Sequence, residues 1–554
     1  MSEQVRDYAI VGGGISGVYS AWRLKESNRD LAIDVFETSD RVGGRLLTVI
    51  PPNIPSARVE LGGMRYIVEE HPWVNSLVQY LGLTTEQLPA GEPQNFAYAR
   101  GKLLRMNELA DASKIPYDVS PLESSPGVLT NLTAQAAALS LAPTIEELLG
   151  IKVSSWNDLN LTSAQWQTIA TKGTYEGAPL ASLPMRYLML RSMSKEALQL
   201  DEDTGGYDSI LYTWNAADGF PWNLGDFTPT TTYVRIQEGY DEVPLMLAER
   251  FHKAGGTIRL GAHLESFDMA DDATVRLEIV EDGSAQTVFT KRLILALPRR
   301  SLELLDQTGA VLGPENREVH ELIRSVTPIP LFKLAVCYPS PWWESLPPVQ
   351  LADGPNAPWV PISNGKSVTD LPIRQCYYWA VDPKTNCAVL LVYDDGRDLD
   401  YWAGLRDSRA PSFESAVAED GSSEWSKHPA PRRMVDEIHR QLLEMHGITD
   451  TTRIPAPYAA AYRDWGEDPY GGGANFWHVG VWSYEVAEKI IQPKPPHPVY
   501  ICGESYSHGQ GWAEGALETA ETMLQQHFGL PTPPWKKEAE TAKEPAAAAA
   551  VTAS

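Results

Sequence analysis

The beginning of the chain alternates between apolar and amphipathic segments in a way that predicts a βαβ unit. The apolar run from Asp7 to Val11 predicts a strand, the amphipathic stretch to about Lys25 a helix, and Ile33 to Glu37 a second strand. A glycine-rich turn, GGGISG, joins the first strand to the helix. We therefore expect a parallel sheet with crossover helices.

The later pattern separates helical from strand-rich stretches. Residues 69–235 show helical segments such as PTIEELLG and SAQWQTIATK, broken by Pro- and Gly-rich loops. Residues 252–297 change to short strands with an Asp-Gly turn, and residues 326–400 are strand-rich and aromatic. Helical periodicity returns at residues 432–446. The strand in PVYICGE and a helix over residues 511–527 end the predicted fold.

Together these stretches predict an α/β protein with a Rossmann-type domain and an interleaved substrate domain. The Rossmann-type domain is expected from residues 1–68, 236–325 and 455–533, and the substrate domain from helices in 69–235 and a mixed sheet in 326–454. Residues 534–554 are low in complexity, and we expect them to be disordered.

Composition narrows the class of protein. The 554 residues are 43% hydrophobic and contain no apolar run long enough to cross a bilayer, so no membrane span is expected. The net charge of -26 disfavours nucleic acid and anionic lipid as partners. The first residues lack a signal-peptide pattern, which predicts a cytoplasmic location. The four cysteines have no CxxC spacing, so neither a disulfide framework nor a metal site is expected.

The glycine-rich turn has the spacing of a dinucleotide site. Gly12, Gly14 and Gly17 form G-x-G-x-x-G between a strand and a helix, where backbone N–H groups and the helix dipole favour a pyrophosphate. Glu37 follows Gly17 by 20 residues at the end of the second strand, where a carboxylate accepts hydrogen bonds from a ribose. The alternatives are a tight turn without a ligand and a solvated carboxylate.

Two further glycine pairs favour FAD over a nicotinamide cofactor. A cationic glycine turn, Arg41 to Arg45, follows the acidic residue directly, although one such turn suffices for NAD. The segment from Glu60 to Arg65, ELGGMR, contains two adjacent glycines. Because they have no side chains, a flat ring system can lie against their backbone.

The segments VGGGISG, ETSDRVGGR and ELGGMR, in this order and spacing, resemble the N-terminal signature of flavin-containing amine oxidases. QEGYDEVP, LILALPRRSL, RDW with DPYGGG, and CGESYSHGQGWAEGA resemble later segments of that family. The resemblance extends from residue 5 to about 530. It implies FAD, held by Gly12, Gly14, Ile15, Ser16, Gly17, Glu37, Thr38, Gly44, Arg45, Gly62, Gly63, Met64, Arg65, Leu264, Glu504, Gly511, Trp512, Ala513 and Ala516.

Within these positions, Glu504 would hold the ribityl or phosphate region. The helix that begins within residues 511–516 would point its N-terminus at the flavin pyrimidine. The positive end of the helix dipole there would stabilise the anionic edge of the reduced ring.

The resemblance also implies the residues that contact the substrate. In the L-amino acid oxidase branch, the positions of Arg65 and Tyr393 clamp the substrate carboxylate, which an arginine fork and a phenol suit chemically. Gly511 and Trp512 would lie beside the flavin and the substrate, and Lys333 would bind a water near flavin N5. Without the family context, an ion-paired arginine and a core tyrosine remain alternatives.

Two departures from the family pattern change the expectation. Where enzymes with covalently bound flavin carry a cysteine, this chain has Gly473-Ala474-Asn475, so we expect FAD to be noncovalent. Asn475 would also remove one wall of the aromatic cage found in monoamine oxidases. Neither a carboxylate nor a histidine is identified as a general base.

The predicted reaction is oxidative deamination of an L-amino acid, with hydride transfer from Cα to flavin N5 and reoxidation by O2. Its products are a 2-oxo acid, ammonia and H2O2. An L-amino acid 2-monooxygenase, a monoamine or polyamine oxidase, and a non-catalytic FAD-binding protein remain alternatives. The family habit predicts a homodimer or larger homo-oligomer, and the preferred side chain is left open.

Overall fold

The computed structural model describes residues 5–226, 231–271, 273–351, 358–406, 413 and 424–536. Within these residues the architecture rests on a five-stranded parallel sheet and a seven-stranded mixed sheet, with helices around both. The predicted α/β class is confirmed.

The parallel sheet is assembled from the two ends and the middle of the chain. All of its neighbouring strands run parallel. Its central strands are buried on both faces, which explains why they are continuous apolar runs in the sequence. In spatial order the strands are Thr257–Leu260, Ile33–Glu37, Tyr8–Val11, Leu293–Leu295 and Val499–Ile501.

One face of this sheet is covered by helices that lie far apart in the chain, namely Ile15–Ser27, Glu242–Lys253 and Ala513–Gln526. Arg23 and Glu521 form a buried ion pair of 3.0 Å between the first and the last of them. Tyr19 donates a 2.6 Å hydrogen bond to the same carboxylate. The N-terminal βαβ unit and the C-terminal helix are thereby held in one core.

The Asp-Gly turn of the middle region forms a hairpin, as predicted. Asp282 and Gly283 both adopt left-handed φ values, 50° and 73°, which is the backbone that a two-residue hairpin turn requires. The three-stranded antiparallel sheet that contains it comprises Ala262–Met269, Val275–Glu281 and Ser284–Thr290.

The seven-stranded sheet departs from the predicted boundaries at both of its edges. In spatial order it comprises Ala459–Asp464, Leu331–Tyr338, Ala388–Asp395, Gln375–Val381, Lys366–Thr369, Phe96–Ala99 and Lys102–Arg105. The last two strands lie in the stretch predicted to be helical, and the first lies beyond the predicted boundary at residue 454. Long-range pairing places these short segments, and local periodicity does not report such pairing.

Most of the remaining part of the helical stretch is helical as expected, although it also contains short strands such as Thr85–Gln87 and Thr174–Tyr175. Thr162 caps the helix Ser163–Lys172 through the N–H of Gln165. No described helix is both long and apolar enough to cross a membrane. The helices of this layer are Pro72–Leu81, Leu132–Leu149, Ser163–Lys172, Met185–Ser192, Lys195–Gly205, Ser209–Tyr212 and Ala216–Asp226.

Shorter elements complete the described chain. The remaining helices are Arg299–Leu304, Gly309–Leu312, Arg317–Ile323, Leu399–Gly404, Arg432–Met445 and Ser483–Ile490. The remaining strands are Thr48–Val49, Val59–Glu60, Tyr66–Ile67, Thr85–Gln87, Thr174–Tyr175, Ala178–Pro179, Tyr233–Ile236, Val326–Ile329, Val349–Gln350, Trp359–Val360 and Ala474–Trp477.

The folded chain extends slightly past the predicted start of a disordered tail at residue 534. Trp535 is only 7% exposed and packs 5.7 Å from Tyr80 and 6.2 Å from Trp73, measured between ring centroids. Packing of this indole on two aromatic rings buries apolar surface and so orders the start of the tail. The low-complexity composition of the tail does not predict this contact. The rest of the predicted tail, residues 537–554, lies outside the described residues.

We expect Gly17→Ala to weaken binding of the FAD that the sequence predicts. A Cβ atom at residue 17 would lie 1.9 Å from the carbonyl oxygen of Gly12, so the helix must move away from the glycine turn. The ratio of flavin to protein absorbance in the purified variant measures this. Gly91→Ala is the control, because a Cβ there meets nothing within 4 Å. A full flavin complement in Gly17→Ala would contradict the role given to this glycine.

Candidate active site

One cavity of about 960 Å³ extends from the parallel sheet to the seven-stranded sheet. At the parallel sheet, its lining begins where strands end at their carboxyl edge, which is where doubly wound sheets bind ligands. On the other side, residues of the seven-stranded sheet complete it. The lining at the two sheets includes Val11, Gly12, Glu37, Ala296, Gly503 and, opposite them, Leu331, Lys333, Tyr393, Asp395 and Arg463.

The structure brings most of the predicted site residues together in this cavity. Cofactor and substrate positions share one continuous space, as an oxidase requires. The predicted residues that line it are Gly12, Gly14, Ile15, Ser16, Glu37, Thr38, Gly44, Arg45, Gly62, Gly63, Met64, Arg65, Lys333, Tyr393, Glu504, Gly511, Trp512, Ala513 and Ala516.

Gly17 and Leu264 do not line the cavity. Gly17 faces the carbonyl of Gly12, so its lack of a side chain allows the helix to pack on the strand. Leu264 is buried in the strand Ala262–Met269, in the same apolar core as Phe36. The resemblance implied that Leu264 contacts the cofactor, but in the structure its side chain is buried in that core.

The two glycine-rich turns touch each other backbone to backbone. The N–H of Gly43 donates to the carbonyl of Gly13 at 2.9 Å, and a Cβ at Gly44 would lie 3.1 Å from the Cα of Gly14. The N–H of Gly13 in turn donates to the Glu37 carboxylate at 2.6 Å. This cradle leaves no room for side chains, which fits a diphosphate approached by backbone groups.

Glu504 holds the protein loops at the other end of the cradle. It is paired with Arg45 at 2.8 Å and accepts hydrogen bonds from the N–H groups of Asn475 and Gly511 at 2.9 and 2.8 Å. The Asn475 amide donates to the same carboxylate at 3.1 Å. The oxygens of Glu504 therefore already have protein donors, and its contribution to the site is to join three loops.

The aromatic wall is more complete than Asn475 suggested. Asn475 faces Glu504, and the next residue, Phe476, lines the cavity together with Trp222 and Trp512. Trp222 lies 6.0 Å from Phe476 and 6.4 Å from Trp512, between ring centroids. Asn475 therefore contributes no aromatic ring to the cavity, whereas the next residue of the strand, Phe476, does.

The C-terminal helix begins at the cavity, as expected. It spans Ala513–Gln526, and its first residues line the cavity beside Gly511. Glu514 in the first turn faces away, accepting hydrogen bonds from the N–H groups of Trp73 and Val74 at 2.9 and 2.8 Å. The positive end of the helix dipole therefore points at the cavity.

Trp512 is fixed in place from two sides. Its indole N–H donates to the Asp226 carboxylate at 2.5 Å, and the His71 ring lies 4.6 Å from it. Burial raises the pKa of Asp226 well above its ordinary value and lowers that of His71 to about 3, so His71 is neutral. The wall formed by Trp512 is thus held by buried polar groups.

Lys333 is a buried lysine that lines the cavity. It is 4% exposed, its ammonium donates to the carbonyl of Gly62, and it lies 4.8 Å from the ring centroid of Tyr393. Burial lowers the pKa of Lys333, an effect that the Glu60 carboxylate opposes. Lys333 therefore faces the glycine segment predicted to lie against the flavin.

Arg65 is buried among tyrosines. It is 4% exposed, and its two terminal nitrogens donate to the hydroxyls of Tyr377 at 3.3 Å and Tyr207 at 3.1 Å. The guanidinium carbon lies 4.0 Å from the ring centroid of Tyr233. Among the described residues, no carboxylate forms an ion pair with Arg65. A buried cation whose protein partners are all phenols has the electrostatics of an anion site.

Tyr393 stands beside this arginine with its hydroxyl available. Its ring meets that of Tyr207 edge to face at 5.5 Å, and Tyr393 lines the cavity. Its hydroxyl forms no hydrogen bond with any residue that the structure describes. A phenol donor and a guanidinium fork therefore line the same cavity.

The sequence interpretation missed several residues of this site, among them Tyr207, Tyr233, Tyr377, Trp222 and Phe476. Tyr377 shares a strand face with Gln375, which pairs with the predicted residue Tyr393, but that pairing is visible only in the structure. Tyr207 and Trp222 come from the helical layer, whose placement over the cavity has no local signature.

A comparison with family models identifies the chain. Residues 15–410 match the model described as flavin containing amine oxidoreductase. The chain belongs to this family. FAD is its cofactor, and the predicted resemblance is confirmed. Members of the family oxidise small molecules, and those that are oxidases use O2.

Curated relatives are similar to this amine oxidoreductase over nearly its whole length. Aplysianin-A of Aplysia kurodai is 26% identical over 95% of this chain and 91% of that protein. L-amino-acid oxidase 4 of Hebeloma cylindrosporum is 22% identical over 97% of this chain and 85% of that protein.

A solved structure of putrescine oxidase bound to putrescine is also similar. It superposes with a TM-score of 0.62 and 15% identity, covering 95% of this chain and 100% of that chain. At this identity the similarity supports the fold alone.

We expect FAD to be released completely by acid precipitation. None of the described cavity residues is a cysteine, and Ala474 lines the cavity where a thiol linkage would need sulfur. Flavin absorbance should appear in the supernatant and none in the washed pellet. Flavin retained in the pellet would show a covalent link through another residue.

Proposed function

We propose that this flavin-containing amine oxidoreductase oxidises L-amino acids to 2-oxo acids, releasing ammonia and H2O2. The observation that carries the proposal is Arg65, a buried guanidinium that donates hydrogen bonds to phenols. It lines the cavity beside Tyr393, whose hydroxyl has no hydrogen-bond partner among the described residues.

The physical reason is the cost of burying a charge. An ionised group taken out of water needs a counterion or several hydrogen bonds, and neutral hydroxyls supply only part of that compensation. A substrate carboxylate supplies the missing negative charge and matches the planar fork of the guanidinium. A substrate without a carboxylate would leave the charge of Arg65 without a counterion.

The clamp also sets the orientation of the substrate. When bound, FAD supplies the acceptor for the hydride from Cα and returns the electrons to O2. Arg65 and Tyr393 hold the carboxylate from two directions, so only one substituent of Cα faces the flavin position. The aromatic wall of Trp222, Phe476 and Trp512 covers the space beside it and limits access of water.

The same charges favour the reactive form of the substrate amine. Hydride transfer requires a neutral amine, and a positive charge nearby disfavours the ammonium form. Arg65 carries positive charge into this part of the cavity, and Lys333 adds to it when it is protonated. These charges lower the pKa of the substrate ammonium, so the amino acid binds with a neutral amine after its proton has passed to solvent, without a dedicated carboxylate base.

The relatives add support to this proposal. One relative over nearly the full length is named as an L-amino-acid oxidase. Because putrescine oxidase is similar in fold, simple amines are included as test substrates below. An amide-forming monooxygenase would use the same clamp, so the product must be identified. The cytoplasmic location and the homodimer or larger homo-oligomer stay predictions.

We expect peroxide formation with L-amino acids and none above background with their D-enantiomers. A fixed carboxylate clamp and a fixed flavin face present one Cα hydrogen for transfer. A peroxide-coupled screen over L- and D-amino acids and simple amines measures this, with the product identified as 2-oxo acid or amide. Equal rates for both enantiomers would contradict the clamp, and an amide product would indicate the monooxygenase.

We expect Arg65→Ala to lower kcat/KM for amino acids strongly. Losing the charge-assisted hydrogen bonds in a buried site costs about 2 to 5 kcal/mol. This corresponds to roughly a thirtyfold to several-thousandfold loss. Arg65→Lys should recover only part of it, because an ammonium lacks the planar fork.

The controls for Arg65→Ala separate the clamp from general damage. FAD content should remain full, and activity on an amine without a carboxylate should change little. Arg29→Ala is the matched substitution at an exposed position. Unchanged amino acid kinetics in Arg65→Ala, with FAD fully bound, would favour the amine oxidase alternative.

A further inference from the structure

We propose that Lys366 is a positioning residue that acts through Gln375 and Tyr377 on Arg65 and places a second positive charge behind the carboxylate clamp. This inference rests on the proposed function, because it concerns the same substrate carboxylate.

The strand register places Lys366 on the face of the sheet that lines the cavity. Lys333 pairs with Tyr393, Tyr393 with Gln375, and Lys366 with Tyr377. Directly opposite residues in antiparallel strands share a face, and so do residues two apart on one strand, such as Gln375 and Tyr377. One face of four neighbouring strands therefore carries all five side chains.

Three hydrogen bonds in series connect Lys366 to Arg65. The Lys366 ammonium donates to Oε1 of Gln375 at 3.0 Å, and the Tyr377 hydroxyl donates to the same oxygen at 3.1 Å. Arg65 donates to the Tyr377 oxygen at 3.3 Å. The Gln375 amide nitrogen donates to the carbonyl of Gly206 at 2.7 Å, which fixes the direction of Oε1.

This series determines the orientation of Tyr377. Because Gln375 takes the hydrogen of the Tyr377 hydroxyl, the phenol oxygen presents its lone pairs to Arg65. The guanidinium is thus held by an acceptor that is itself fixed. Lys366 maintains the arrangement by occupying the other lone pair of the Gln375 oxygen.

A second contact links Lys366 to the clamp. Its ammonium lies 5.3 Å from the ring centroid of Tyr207, the other tyrosine that accepts from Arg65. Burial, together with the positive charges of Arg65 and Arg374, lowers the pKa of Lys366 to about 7. Arg374 has a carboxylate partner, Asp208, at 3.1 Å. Among the described residues, neither Arg65 nor Lys366 has such a partner.

Below pH 7, where Lys366 is mainly protonated, a carboxylate bound at Arg65 would therefore interact with both cations. Three hydrogen bonds of about 3 Å each limit the separation of the Lys366 ammonium from the guanidinium to about 9 Å. A carboxylate bound to the guanidinium then lies about 8 to 12 Å from this ammonium, where, at the effective dielectric of a partly buried site, the charge changes carboxylate affinity by a factor of about 10 to 30. Neutral ligands would not experience this effect.

The test measures binding of a charged ligand and its neutral analogue. Dissociation constants of a 2-oxo acid and of its carboxamide are obtained from the change in flavin absorbance, without turnover. The variants are Lys366→Met, Lys366→Arg and Gln375→Glu, the last of which keeps an acceptor for Lys366 and Tyr377 but cancels the charge. Lys102→Met is the control, an exposed lysine on a strand of the same sheet.

We expect Lys366→Met and Gln375→Glu to weaken 2-oxo acid binding by about 10 to 30-fold and to leave carboxamide binding and FAD content unchanged. Lys366→Arg and Lys102→Met should bind both ligands as the wild type does. If Lys366→Met does not fold, Lys366→Gln, which also removes the charge, decides by the same comparison.

The proposal is overturned if both ligands weaken equally, if Lys366→Arg behaves like Lys366→Met, or if nothing changes. Oxidation of L-amino acids by the wild type is measured separately. Its absence would refute the proposed function itself, whereas a normal rate combined with unchanged binding in the variants would refute only the role of Lys366.

Discussion

The site depends on a buried positive charge that the described protein residues do not neutralise. Arg65 is held by hydroxyl groups and by a tyrosine face, which fix its position but do not remove its charge. Such an arrangement is costly in the absence of an anion, because neutral hydrogen bonds replace hydration only in part. Binding of a carboxylate removes this cost, and the free energy gained contributes to carboxylate affinity.

The fold places this charge beside the cofactor space. Arg65 belongs to the glycine segment that extends from the cradle, so its backbone lies against the cofactor space while its side chain reaches the seven-stranded sheet. The sheet contributes Lys333 and Tyr393 from facing positions of adjacent strands. The helical layer completes the enclosure with Tyr207 and Trp222. The glycine segment, the seven-stranded sheet and the helical layer therefore each supply different groups to the site.

The cofactor half of this molecule could be predicted from sequence, because its determinants are local. The turn at Gly12 to Gly17, the carboxylate of Glu37 and the helix at Ala513–Gln526 each follow from spacing within one short segment. The substrate half depends on contacts between distant segments. Strand Phe96–Ala99 lies in a stretch predicted to be mainly helical, and Phe476 and Tyr207 were missed, because only pairing and packing determine these positions.

A crystal structure of the oxidised enzyme with a 2-oxo acid product would test the central claim most directly. We predict that the carboxylate lies in the plane of the Arg65 guanidinium, with oxygen atoms about 2.7 to 2.9 Å from its nitrogens and a further hydrogen bond from the Tyr393 hydroxyl. A ligand whose carboxylate lies elsewhere, with Arg65 still contacting only tyrosines, would contradict the account.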